Sequence, residues 1–276
     1  MPGDGKKAER LDRCLKELHL PAVRRCYQDE AITARQDNWD YETYLYELAA
    51  RECEERHHNR IARLLGDSKL PLEKSLQTFE RKRLPRKVDA QLNLLIRGDF
   101  LEHRENVLAF GNPGSGKTHL LCAIAQELVH QGRRVRYTPC CLLVQELLIA
   151  KRDLKLARVL KQYAKYETLI IDDIGYVQQS REEMEVLFTL LADRYERSSI
   201  MITSNLPFSQ WERIFKDPMT TAAAIDRLVH HSVILELNLS SYRLEQSQKT
   251  KETMAVPSAS AAPRESNQQV TGDKNE

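Results

Sequence analysis

Between residues 110 and 121 the chain reads FGNPGSGKTHLL, with glycines at 111, 114 and 116 set against one lysine at 117. Gly111, four residues and then Gly116-Lys117-Thr118 fit the G-x-x-x-x-G-K-[ST] pattern of a phosphate loop. Glycines that accept positive φ let such a loop curl until several backbone N–H groups face one anion. A helix starting near Lys117 adds its positive end to the same concavity. Lys117 then reaches the β- and γ-phosphates, and the Thr118 hydroxyl is placed to ligate Mg²⁺. Asn112, Pro113, Ser115 and His119 complete the stretch expected against a nucleotide, ATP by this chemistry.

A second acidic motif has the matching place. In LIIDDIGY an apolar run ends in Asp172 and Asp173. Asp172 is expected to hold Mg²⁺ through water, and Asp173 to orient or deprotonate the attacking water. The run SSIMITSN ends in Asn205, which suits a hydrogen bond to the γ-phosphate or its attacking water, or else a turn in SNLPFSQW. Arg227, in AAAIDRLVHHS, either enters a neighbouring subunit's phosphate site or pairs with a local carboxylate.

The elements that must carry these residues follow from periodicity. NVLAF at 106–110 reads as a buried strand and HLLCAIAQELVHQG at 119–132 as a helix closed by glycine. Further strands are expected at 133–139, 168–173, 198–205 and 232–238. Continuous apolar runs alternating with helices predict an α/β fold, a parallel sheet covered on both faces. Residues 1–66 read as a small all-helical N-terminal domain for partner or DNA binding or self-association. Asp40 is expected to cap a long helix with Tyr41, Leu45, Leu48, Ile61 and Leu65 on its inner face and Gly66 at its end. Residues 67–87 form a basic linker lying on the next domain, 88–245 the nucleotide domain, and 246–276 a disordered polar tail.

The 276 residues carry a net charge of +2, with 30% charged and 41% hydrophobic residues, which excludes neither a large core nor a solvated surface. No apolar run approaches a membrane span, no signal core opens the chain, and the six cysteines form no C-x-x-C pair, so a reduced cytoplasmic protein is expected. Cys53, His57 and His58 in ECEERHH read as a charged helix face. The near-neutral total hides basic stretches: ERKRLPRK at 80–87, and 150–165 with Lys151, Arg152, Lys155, Arg158, Lys161 and Lys165. Such stripes suit backbone phosphates, or else form a solvated helix face.

The stretches LKELHLPAV, NVLAFGNPGSGKTHL, LIIDDIGY, LFTLLADRYERSSIMITSNLPFSQW, IDRLVHHS and SYRL together resemble the IstB family of transposition helper ATPases. That family is related to DnaC and DnaA within the AAA+ class. The resemblance implies a P-loop AAA+ core and a DNA-associated ATPase that forms a homo-oligomer on duplex DNA and delivers or activates a DDE-type transposase. It implies nucleotide contacts at Gly111, Gly114, Gly116, Lys117 and Thr118, Mg²⁺ and hydrolysis roles at Asp172 and Asp173, and a sensor at Asn205. It also implies an arginine finger at Arg227 and a second nucleotide-facing arginine at Arg243. By the same resemblance the basic stretch containing Lys151, Arg152, Lys155 and Arg158 lines a DNA channel. A DnaC-like helicase loader with the same engine, a small-molecule phosphotransferase and an ATP-binding scaffold are the alternatives.

Overall fold

The computed structural model describes residues 4–175, 180–215, 217–239 and 241–242. Arg243 and the expected tail at 246–276 lie outside the described residues. Five parallel strands form one sheet in the order β2-β3-β4-β1-β5, with β1 at Asn106–Gly111, β2 at Val135–Pro139, β3 at Thr168–Ile174, β4 at Ser199–Ser204 and β5 at Ser232–Leu237. These are the five runs expected from the sequence, in an order that puts β1 and its following loop between β4 and β5.

The strands read as continuous apolar runs because both faces are covered. Along β1, Val107 and Ala109 enter one core while Leu108 enters the other. The first core is closed by α4 (Arg86–Arg97) and α6 (Lys117–His130), through Leu92, Leu120 and Ile124. The second is closed by α7 (Cys140–Arg152), α9 (Arg181–Arg194) and α11 (Pro218–Val229), through Leu143, Leu187 and Leu228. Short helices α5 (Asp99–Glu102), α8 (Leu156–Tyr163) and α10 (Glu212–Phe215) complete the connections. Arg194, 1% exposed, donates to the carbonyls of Tyr163, Tyr166 and Ser199 at 2.9, 3.0 and 2.9 Å, tying the ends of α8 and α9 to β4. Burial lowers its pKa to about 10.

Three helices precede this core: α1 (Asp4–Glu17), α2 (Pro21–Gln36) and α3 (Tyr41–Ser68). Asp40 caps α3 as expected, accepting from Thr43 N–H at 2.7 Å. Two expectations for α3 need correction. Tyr41 and Leu45 face solvent, at 93% and 67% exposure, and of the first apolar positions only Leu48 is buried. The helix also runs through Gly66 to Ser68, because the Ser68 hydroxyl donates to Leu65 O and accepts from Leu70 N–H, and Lys69 takes the left-handed closing position. Gly66 sits inside the last turn, with nothing within 4 Å of its Cβ position.

The core of α1–α3 is Leu15, Val23 and Leu48. Three buried side chains contribute on the order of 5 kcal/mol, well below the cost of ordering three helices. The unit therefore leans on the far half of α3, whose Leu64 and Leu65 pack against the first sheet core. It also leans on Glu52, 4% exposed, whose carboxylate accepts from Ala22 and Val23 N–H at 2.9 and 3.3 Å and from Arg56 Nε at 2.8 Å. Burial pushes this carboxyl up, but the Arg56 and backbone hydrogen bonds outweigh it and hold the pKa below the usual value.

Glu52→Ala is expected to destabilise the protein by about 1–2 kcal/mol at neutral pH, measured by urea unfolding followed by helix ellipticity. The folded carboxyl titrates below its unfolded value of 4.5, so its contribution is complete above that pH and is lost as pH falls through the folded value. The gap between wild type and Glu52→Gln should accordingly close in acid.

Candidate functional site

The loop after β1 needs its glycines for two separate reasons. Gly111, Gly114 and Gly116 have φ of +153°, +80° and +93°. A Cβ at Gly111 would also lie 2.3 Å from Leu237 O, and one at Gly114 would lie 2.2 Å from Ser241 Oγ. The chain just beyond β5 thus clasps the loop, and Tyr242 N–H donates to Gly114 O at 3.1 Å. Lys117, 5% exposed, arches back so that Nζ donates to Gly111 O and Asn112 O at 2.8 and 2.9 Å. Helix α6 begins here behind Gly116 with no side-chain cap, which leaves its first N–H groups for an anion. Ser115 Oγ is buried without a hydrogen-bond partner. Pro113, Ser115 and Thr118 line the same cleft.

Thr118 joins this loop to the acidic pair. Its hydroxyl donates to Asp172 Oδ1 at 2.8 Å. Asp172, 5% exposed, also accepts from Thr203 Oγ1 at 2.6 Å and from Tyr137 OH at 2.8 Å. Burial first, then the negative charge of Asp172, raises the Tyr137 pKa, so the phenol stays a donor. Asp173 breaks the strand pattern: the β3–β4 register shifts between Ile171 and Ile174, and Asp173 takes φ +58°. Its N–H is held by Thr203 Oγ1 at 2.7 Å. Such a bulge re-aims a side chain that a regular strand would bury. Asp173 is exposed, lining the cleft together with Asn205. Of the two expectations for SNLPFSQW, the turn is made by Ser204, whose hydroxyl accepts from Leu206 N–H at 3.1 Å; Asn205 stands in the cleft wall.

The cleft encloses about 230 Å³, and one wall comes from the linker segment, of which only the basic run at 80–87 was singled out from the sequence. Lys74, Thr78, Phe79, Glu80 and Arg83, all from the stretch between α3 and α4, face the phosphate loop. His119 holds them there: its Nε2 lies 3.1 Å from Thr78 Oγ1 and 3.0 Å from Ser75 O, and its ring meets Phe79 edge-on at 5.1 Å. Tyr242 also lines the cleft, with the Arg83 guanidinium 5.3 Å from its ring centroid. The basic ERKR run was the legible part of this segment; Phe79 beside it was not read from the sequence.

The remaining predicted residues lie elsewhere. Arg227 is near the amino end of the sheet, beside Asn106 and Ile200, where it donates to Ala223 O at 3.2 Å and lies over Phe188 at 4.8 Å. Among the described residues no carboxylate pairs with it. Lys151, Arg152, Lys155 and Arg158 are exposed around the α7–α8 turn, with Lys151 on Glu185 at 2.9 Å and Lys155 on Asp153 at 3.1 Å. No described helix is long and apolar enough to cross a membrane.

Residues 13–250 match the family described as IstB-like ATP binding protein. An insertion sequence ATP-binding protein of Sinorhizobium fredii is 41% identical over 91% of this chain and 85% of its own length. The insertion sequence IS5376 ATP-binding protein of Geobacillus stearothermophilus is 34% identical over 88% and 97%. Among solved structures, AMPPCP-bound DnaA from Aquifex aeolicus is 18% identical, covering 67% of this chain and 56% of that one at a TM-score of 0.53. DnaI is 22% identical, covering 63% and 94% at 0.50. These last two share the fold.

Thr203 tests the bulge. Thr203→Val keeps the shape but strips Asp173 N–H of its acceptor and Asp172 of a donor. It should cost about 1–3 kcal/mol in chemical denaturation and depress ATP turnover. Unchanged stability would remove Thr203 as the residue that holds the bulge.

Proposed function

The chain belongs to the family of IstB-like ATP-binding proteins, and from that premise we propose that it is the ATP-hydrolysing helper of an insertion-sequence transposase, assembling as a homo-oligomer on duplex DNA and recruiting or activating a DDE-type transposase. It is an AAA+ ATPase associated with transposition. The observation that carries the finer reading is the convergence of Lys117, Thr118, Asp172, Asp173 and Asn205 on one cleft.

In this reading the β- and γ-phosphates of ATP take the place of the two carbonyls that Lys117 now holds, and the uncapped N–H groups of α6 and the unpartnered Ser115 hydroxyl face the same phosphates. The residues fit Mg²⁺, which takes few protein oxygens and fills its shell with water and phosphate: the Thr118 hydroxyl and the Asp172 carboxylate meet at 2.8 Å. Bound there, the ion would neutralise charge developing on the phosphates. Asp173, turned out of its strand, orients the attacking water or takes its proton, and Asn205 hydrogen-bonds that water or the γ-phosphate. Phe79, His119 and Tyr242 line the cleft and, in this reading, enclose the base. The DnaA relative of known structure carries AMPPCP, and another DnaA structure carries AMPPCP and single-stranded DNA.

Arg227 cannot serve its own phosphate loop from the amino end of the sheet. In this reading it serves a neighbour's γ-phosphate, which makes nucleotide the link between subunits. The turn carrying Lys151, Arg152, Lys155 and Arg158 contacts DNA backbone, without much sequence preference and with steep salt dependence.

Lys117→Ala should abolish ATP binding and DNA-stimulated phosphate release, whereas Asp173→Asn should keep binding and lose turnover. Arg227→Ala should lower turnover by roughly 10³-fold, and mixing it with Lys117→Ala should restore part of the activity, since a mixed interface pairs one intact loop with one intact arginine. Absence of rescue in mixtures shown to co-assemble would refute action between subunits. Capture of a replicative helicase instead of a transposase would transfer the same engine to helicase loading.

A further inference from the structure

The stretch that leaves α3 has no regular secondary structure before Arg81, yet it is strapped along α6. Gln126 Nε2 faces the carbonyls of Pro71, Leu72 and Lys74 at 3.2, 3.4 and 3.1 Å. Two turns nearer the start of α6, His119 Nε2 lies 3.0 Å from Ser75 O and 3.1 Å from Thr78 Oγ1. Leu70, Leu76 and Phe79 pack into or against the first core. The backbone on both sides of the Lys74 side chain is therefore pinned to the helix that follows the phosphate loop.

Lys74 itself is half-buried and lines the cleft with Gly116, Lys117 and Thr118. Among the described residues no ion pair is formed by Lys74, and its neighbour Glu73 points its exposed side chain elsewhere than into such a pair. The other strap cation in the cleft, Arg83, lies over Tyr242 instead. Burial pushes the Cys122 thiol up to about 12, and the field of Lys74 is the largest influence opposing it. Cys122 is one turn beyond Thr118 on the same flank of α6, so the Lys74 ammonium stands close to that flank. Partial desolvation of an ammonium without a counter-charge is unfavourable, and an anion in the cleft would remove the penalty. Mg²⁺ and Lys117 leave part of a triphosphate's charge uncompensated, which makes the nucleotide a fitting anion.

We propose that Lys74 is a second phosphate-binding lysine, bringing its ammonium along the flank of α6 to the polyphosphate of ATP or ADP while Phe79 of the same strap meets the base. This rests on reading the cleft as the nucleotide site. It goes beyond that reading by adding a ligand-binding cation from outside the nucleotide motifs, on the stretch that continues α3.

The test uses the full chain, with ATP, ADP and adenosine as probes in calorimetric titrations and phosphate release as the activity. Lys74→Met keeps the stem and removes the charge. It should weaken ADP and ATP binding about 10–100-fold, leave adenosine binding unaltered and flatten the salt dependence of ADP binding. KM for ATP should rise by more than kcat falls. Lys74→Arg, which keeps the charge, should recover most of the affinity. Wild-type affinity for ADP and ATP in Lys74→Met would overturn the proposal. An equal loss for adenosine would make Lys74 a support for the base wall and overturn it too, as would weakened ADP binding with an unchanged salt slope and no recovery in Lys74→Arg. Wild-type ADP affinity in Lys117→Ala would instead overturn the reading of the cleft, and the proposal with it.

Discussion

Asp172 is a buried carboxylate stabilised by three hydroxyl donors that come from different elements: Thr118 on α6, Tyr137 on β2 and Thr203 on β4. A bare charge in such a place would be prohibitive; hydroxyl donors make it tolerable. The same three bonds lock the phosphate loop's helix to the strands beside it. Thr203 serves twice, since the oxygen that accepts from Asp173 N–H also donates to Asp172. The bulge, the outward turn of Asp173 and the position of α6 thus share one hydrogen-bonded knot.

Much of this was readable in the chain itself, for physical reasons. The phosphate loop has rigid spacing because backbone geometry tolerates little else, and the five strands announce themselves because both faces of the sheet are buried. Asp172 and Asp173 were found as a pair, but nothing in IIDD distinguishes the acid that turns inward from the one that is flipped out by a bulge. That distinction depends on Thr203, a long-range partner. The cleft wall from Lys74 to Phe79 was also illegible as a ligand surface, because residues without periodicity acquire a role only from what they pack against, here His119 and the loop glycines. Tyr41 and Leu45 mislead for the opposite reason. They keep helical spacing but project past a bundle too small to cover them.

The sheet keeps two groups of residues apart. The phosphate loop, the acid pair and Asn205 gather at the carboxyl ends of the strands, while Arg227 lies at the amino ends. In the proposed reading, with Arg227 serving a neighbour's nucleotide, copies stack head to tail, one surface meeting a different surface on the next copy. Such contacts close into rings or continue as helices according to the rotation per subunit. The long α3, continuous from the helical unit into the sheet core, gives that unit a rigid lever rather than a loose tether.

The clasp between the phosphate loop and the chain beyond β5 has a consequence for biosynthesis. The central strand β1 pairs only with β4 and β5, and Gly114 O takes its partner from Tyr242. A nascent chain therefore carries an unfinished loop through most of its synthesis, because the elements that shape it emerge last. The loop therefore reaches its clasped shape only once β5 and the chain up to Tyr242 have been made.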